Sequence, residues 1–441
     1  MWGGAGGEVI NRNLKDWRVT MITTIKKVLK ISLWVIAGLV AIYLMYAVPC
    51  IYKLYKINVW QNKIGETLPD AFRFELPVTQ NPDGYFCVKG IINDTDSANF
   101  IMDTQTTSLA KMETINDWDA MYWGKYPVPV YNSYGQKEKF PLYFFNSFNI
   151  QSLSLNKPLF TGVSKSNAMY DLMDHDVVGK DILKQLFWKF SLDDGKMILF
   201  SNRDTLFLRS ETESYVKIEN GLTGKSNHLF FPDISIQADF ILDIGYAGEI
   251  MVNKEIFSHL SNNFPLKKFV SSRRTSAKND TTYVFDGMNV EWDGIKIPNC
   301  QITYSPITNR NLIGVKLVHR FNFALAYSDK TNNSNDNIYL QPRNNFQQFE
   351  SAPYCSDFGF DIRKLENIFI INRIETGGLA DKAGINVKDK IVRIDHGNFD
   401  LNDRKQLDSY LSDKKSVSIE IEKEGKIIDI ELIKKQNGFN E

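Results

Sequence analysis

Hydrophobic and polar positions follow three regimes along this chain. From Ile31 to Tyr52 no charged residue occurs. These 22 residues would rise about 30 Å as a helix, the thickness of a bilayer core. Such a helix is apolar on every face, unlike the striped helix of a soluble domain. Lys26, Lys27 and Lys30 precede it, and Lys53 and Lys56 follow. The basic leading flank predicts a cytoplasmic N-terminus, with everything beyond the span outside the cytoplasm. The stretch is longer than a signal-peptide core and lacks a clean A-x-A site, so it predicts an uncleaved anchor.

From about Pro69 the period falls to two. Tyr85–Ile92 reads as a strand, Asn93-Asp-Thr-Asp96 as a turn, and Asn99–Asp103 as the return strand. Leu229–Ile236 followed by Phe240–Asp243 repeats the pattern. Each return strand is a short apolar run that delivers an aspartate, Asp103 or Asp243, into a turn. A second shared segment follows each: Asp176-Val-Val-Gly-Lys-Asp-Ile-Leu and Asn311-Leu-Ile-Gly-Val-Lys-Leu-Val. Counted from Gly179 and Gly314, the apolar residues coincide: Ile182, Leu183, Leu186, Trp188, Phe190 and Leu192 against Leu317, Val318, Phe321, Phe323, Leu325 and Tyr327. A duplicated β unit with one carboxylate per copy predicts two halves that bring the carboxylates together. The polar stretches 123–141 and 268–286 predict hairpins over that site, with Tyr131 or Tyr134 as its cover. Residues 328–337 predict a loop inserted into the last hairpin of the second copy. Near Ala352 a third unit begins, with strand runs at Phe358–Ile362, Ile368–Ile374 and Asp389–Asp395, then a hairpin over Val417–Ile433 turning at Gly425.

Composition narrows the chemistry. With 441 residues the chain has room for two or three domains. Lys+Arg and Asp+Glu are both 52, so it lacks the basic excess that a nucleic-acid binder needs. Aromatics make up 13%, with 29 Phe and 19 Tyr, which suits strands better than a helical bundle. Cys50, Cys87, Cys300 and Cys355 are too few for a disulfide scaffold, and spacing leaves any pairing among the last three open. Five histidines without HExxH spacing give no zinc motif, and no GxSxG elbow is present. No metal or cofactor is implied. The duplication supplies one aspartate per half, which is the arrangement that paired-carboxylate chemistry needs. Two carboxylates close together share one proton, so that one activates water while the other donates to a carbonyl oxygen.

The two copies resemble the lobes of a pepsin/retropepsin-type aspartic protease of the bacterial, membrane-anchored kind. That family's motif is an apolar run, Asp-Thr-Gly and a small residue, and later two apolar residues and a glycine in the strand behind. Phe100–Thr107 and Phe240–Ala247 match the first part; Val177-Val-Gly179 and Leu312-Ile-Gly314 match the second. The resemblance spans roughly residues 80–345. It implies a mainly β fold of two duplicated barrel lobes, Asp103 and Asp243 as the catalytic pair, and Thr104, Thr106 and Gly245 as its supports. Gln105 stands where the family has glycine. Ile244 stands where it has a threonine that hydrogen-bonds across the centre, and Tyr246 replaces a small or hydroxyl residue.

The C-terminal unit resembles a PDZ domain. Phe358-Gly359-Phe360 matches the carboxylate-binding loop, and Gly378–Gly384 the small-residue helix start. The resemblance implies that a peptide C-terminus adds there as a strand. The expected organisation is a cytoplasmic segment 1–30, a transmembrane anchor 31–52, a stalk 53–80, lobe one 81–210, lobe two 211–345 and a PDZ domain 352–437. The expected activity is endopeptidase action on a peptide or protein substrate, by a protein held in the membrane with its C-terminal domains outside the cytoplasm, in the periplasm if bacterial. Gln105 and Ile244 favour an alternative, a pseudo-protease that grips a peptide in the cleft as a scaffold.

Overall fold

A computed structural model describes residues 6–434, apart from 128–129, 132–136, 166–169, 171–172, 174, 223–225, 273–278, 328–335, 352, 366–367, 398–403 and 424. It divides into two compact units, Met1–Trp60 and Gln61–Glu441. The first is helical. One helix runs from Gly6 to Lys63 and carries Pro49 inside it. Its segment Met21–Lys63 is long and apolar enough to cross a membrane, with mean hydropathy 2.2 in its most apolar window. Its apolar side chains, Leu33 and Trp34 among them, stand exposed.

The second unit is mainly β, and its two lobes follow one path. Lobe one opens its sheet with Leu153–Asn156 and Ser147–Ile150 and continues Phe86–Ile92, Asp96–Met102, Val177–Val178, Leu109–Lys111, Leu159–Val163, Pro141–Phe144, Met121–Lys125. Lobe two orders them Asn227–Phe231, Ile236–Asp243, Leu312–Gly314, Ile250–Met251, Ile295–Tyr304, Asp280–Trp292, Lys267–Ser271. In both, the strand leading to the aspartate lies parallel to the strand that ends at the glycine: Met102 pairs with Val178, and Leu242 with Ile313. The expected hairpins exist as Met121–Lys125 against Pro141–Phe144 and as Lys267–Ser271 against Asp280–Trp292. Tyr134 lies outside the described residues, only the backbone of Tyr131 is described, and the loop expected at 328–337 lies outside them as far as residue 335.

A six-stranded sheet joins the lobes. Its order is Arg73–Pro77, Lys196–Ser201, Leu186–Ser191, Phe321–Ala326, Asn337–Pro342, Val216–Ile218. The seam pairs Trp188 with Leu325 and Phe190 with Phe323, whose rings stack at 4.3 Å. These are the apolar positions that coincided in the repeat. They are wholly buried because they face one core shared by both lobes.

Two expectations need correction. Residues 53–80 are not a stalk. The helix continues to Lys63, and Arg73–Pro77 is a sheet strand pairing Phe74 with Leu199 and Leu76 with Met197. Phe74 and Leu76 alternate with more exposed neighbours and pack on the core, so lobe one starts before residue 81. The unit from 352 has its own core, with Phe358, Phe360, Ile371, Ile419 and Ile421, but it shares a sheet with lobe two. Strand Ile368–Glu375 pairs antiparallel with Lys267–Ser271, matching Val270 with Ile374. That pairing satisfies backbone groups that an open hairpin edge would leave to solvent.

Candidate active site

Each aspartate is placed by a strand, a tight turn and a glycine behind it. A β-carbon on Gly179 would overlap the backbone of Thr106 and Thr107, and one on Gly314 would overlap the Gly248 carbonyl. Both glycines therefore let the turn pass at backbone contact. Lys180 N then donates to Thr106 O at 2.8 Å, and Val315 N to Tyr246 O at 2.9 Å. The short helices Lys180–Leu183 and Val315–Val318 follow and return the chain to the central sheet.

The carboxylates sit inside these turns. Asp103 Oδ1 accepts the N–H groups of Gln105 at 2.7 Å and Thr106 at 3.1 Å. Asp243 Oδ1 accepts the N–H of Gly245 at 3.0 Å. Gly245 also packs on the other aspartate, since a β-carbon there would overlap Asp103 Oδ2. One small residue thus touches both, which keeps the nearest carboxylate oxygens within about 8 Å of each other. The turns are tied across the lobe boundary. Thr104 is fully buried; its Oγ1 donates to Leu242 O at 3.1 Å and accepts from Ile244 N at 3.3 Å. Ile244 is equally buried and has no hydroxyl to return. Gln105 Nε2 donates to the same Leu242 carbonyl at 2.6 Å.

Burial, opposed by the N–H groups of Gln105 and Thr106, lifts the Asp103 carboxyl above its usual range. Burial and then the charge of Asp103 push Asp243 up to about 8. Asp243 feels the charge of Asp103, so the titrations of the two carboxyls depend on each other. Tyr85 stands close enough to both for their charges to raise its phenol further, beyond the effect of burial.

Behind the turns the lobes differ. Asp181, buried in lobe one, accepts Ser108 N at 2.9 Å and Ser108 Oγ at 2.8 Å, and that hydroxyl accepts Gly179 N. In lobe two, buried Glu249 accepts Gln301 N at 2.7 Å and Arg320 Nη2 at 2.8 Å. Arg320 also donates to Pro298 O, Asn299 O and Ser351 Oγ.

Five predicted residues thus meet at one place: Asp103, Asp243, Thr104, Thr106 and Gly245. Thr106 contributes through its backbone N–H. Phe358 and Phe360 are elsewhere and wholly buried, and Gly359 N donates to Ser356 O at 2.8 Å, so these side chains form core rather than an open groove. The contributions of Gln105, Tyr85 and the Glu249–Arg320 pair escaped sequence reasoning. Tyr85 stands just before strand Phe86–Ile92, which pairs with the strand leading to Asp103, and that position was its sole signal.

No protein-family model matches this chain, and no curated protein matches it. Among solved structures, the crystal structure of a retropepsin-like aspartic protease from Rickettsia conorii aligns with 30% of this chain and 93% of that one, at 17% identity and a TM-score of 0.23.

Proposed function

We propose that this protein is a membrane-anchored aspartic-type endopeptidase. Asp103 and Asp243 form the catalytic pair, and Thr104, Thr106 and Gly245 support it. Asp103, with two backbone donors, keeps the charge and draws a proton from water; Asp243, with one, keeps the proton and donates it to the scissile carbonyl. The observation that carries this reading is the double contact of Gly245, which packs on one aspartate and donates to the other. The helix Met21–Lys63 is the anchor, with the N-terminus cytoplasmic and the lobes outside the cytoplasm. The unit from 352 acts as a PDZ-type peptide binder. Support comes from strand Phe360–Leu365, whose second edge carries no strand among the described residues, so that an extended peptide can add to it.

The test is cleavage of a peptide library by the full chain in detergent, from pH 4 to 7. Wild-type protein is expected to cleave, and Asp103→Asn and Asp243→Asn to be inactive but folded. Undiminished turnover by either variant would refute the assignment. The buried Ile244, which leaves one hydroxyl where the symmetric arrangement would hold two, favours a second reading as a peptide-gripping scaffold. A pepstatin-type inhibitor separates the two, since it mimics the tetrahedral intermediate and requires a competent pair.

A further inference from the structure

We propose that Gln105 is a positioning residue whose side-chain amide crosses the lobe boundary and fixes the backbone in front of Asp243, adding a second tie from lobe one where Ile244 offers none from lobe two. The inference rests on the peptidase reading for its kinetic consequence alone. Its basis is a comparison of the two turns. Positions 105 and 245 are equivalent, each two residues past its aspartate. At 245 there is no room for a β-carbon, because Asp103 Oδ2 occupies the space. Were the turns true two-fold mates, a side chain at 105 would meet Asp243 in the same way. The symmetry is therefore broken at the centre, and it is broken by the residue that bridges it.

Positions 104 and 244 are the other departure. Thr104 Oγ1 serves Leu242 O and Ile244 N, while Ile244 offers nothing in return. Leu242 O instead receives a second donor from lobe one, Gln105 Nε2 at 2.6 Å, shorter than the 3.1 Å bond from Thr104. The backbone N–H of the same glutamine donates to Asp103 Oδ1 at 2.7 Å. Gln105 thus holds one aspartate through its main chain and the residue before the other through its side chain. The separation of the carboxylates is set through it. Gln105 is also exposed, so this bond forms beside solvent and yields readily to substitution.

The test pairs loss with rescue. In Gln105→Ala, kcat for peptide cleavage is expected to fall about tenfold while KM changes little. The upper limb of the pH–rate profile should move to lower pH, because looser turns let the carboxylates part and weaken the repulsion that retains the shared proton. The double variant Gln105→Gly/Ile244→Thr exchanges the amide for a hydroxyl on the opposite turn and should recover both kcat and the limb. Wild-type kcat in Gln105→Ala overturns the proposal, as does a lowered kcat with an unmoved limb, which marks a merely structural role. A second arm titrates 13C-labelled aspartate carboxyls by NMR in the full chain in detergent micelles. If wild-type protein cleaves nothing, the peptidase reading fails, yet this titration still decides the role of Gln105. A lower upper pKa for the pair in Gln105→Ala supports the role, and superimposable curves overturn it.

Discussion

The two lobes trace the same path to their aspartates but keep different company. Among the described residues lobe one ends its sheet at strand Met121–Lys125, with Met121 and Tyr122 exposed. In lobe two the equivalent strand, Lys267–Ser271, is not an edge. It is continued by Ile368–Glu375 of the C-terminal unit, with Thr376 N donating to Lys268 O at 2.8 Å and Ser272 N to Asn372 O at 2.7 Å. Behind the turns, lobe one stabilises a buried carboxylate with a serine two positions past Thr106, whereas lobe two uses a buried ion pair that also holds Ser351 of the connecting segment. The lobes share the strand, turn and glycine that place each carboxylate, and they differ at positions 104/244 and 105/245. The periphery differs more, and lobe two is the half joined to the C-terminal unit.

The strongest way to break the comparison is at the centre, where the lobes should be equally indispensable. Asp103→Asn and Asp243→Asn are each expected to lower cleavage by about 10³-fold or more. A variant of one lobe that keeps activity while the other loses it would show that a single carboxylate carries the chemistry. Next comes the support behind each turn. Arg320→Met leaves Glu249 buried without its countercharge and should destabilise the fold by about 3–5 kcal/mol in denaturant unfolding. Asp181→Asn in lobe one keeps an acceptor for Ser108 and should cost about 1 kcal/mol. Equal costs would mean that the two supports are interchangeable. A smaller effect is expected at the shared sheet. Val270 pairs with Ile374, and Val270→Pro removes one ladder donor at a cost of about 2–3 kcal/mol. Limited proteolysis should then open the connection near residues 350–357 before it opens lobe one. Cleavage in the order seen for wild type would mean that the C-terminal unit is held by its own core contacts instead.

What could be read in the sequence was local and repeated. The apolar run before each aspartate and the glycine in the strand behind it lie within short windows, and the second copy makes each window significant. The same holds for the seam residues Trp188, Phe190, Phe323 and Leu325, whose spacing from the glycines is identical in both halves. The fusion of lobe two with the C-terminal unit was not legible. It pairs residues such as Phe269 and Glu375, far apart in the chain, through backbone groups that every sequence carries. Arg320 reads as an ordinary charged residue until the fold buries it against Glu249. Gln105 reads as a defect in the motif, because the carbonyl it reaches belongs to the other lobe. The end of the N-terminal helix was missed for the opposite reason: Lys53 and Lys56 mark the end of the apolar span, while helix formation tolerates charge and continues to Lys63.

The gentlest probe of the comparison is the pH dependence of stability. Burial and then the charge of Asp103 push the Asp243 carboxyl up to about 8 in the folded chain, against about 3.9 for an unfolded aspartate. Between these values the folded state holds a proton that the unfolded state releases. Stability therefore falls as pH rises through this window, by at most about 1.4 kcal/mol per pH unit. Below the window both states are protonated, and above it both are ionised, so this contribution is flat at either end. Asp103, Asp176 and Asp181 are also raised by burial and add slopes of the same sign, so the total slope assigns nothing to one residue. The difference between wild type and Asp243→Asn does, because the amide has no proton to lose and also relieves Asp103 of a charged neighbour. Urea unfolding at several pH values from 4 to 8 should give a steeper decline for wild type than for Asp243→Asn. Parallel declines would show that the two carboxylates do not share a proton in the folded protein, and the central symmetry would then be one of shape without chemistry.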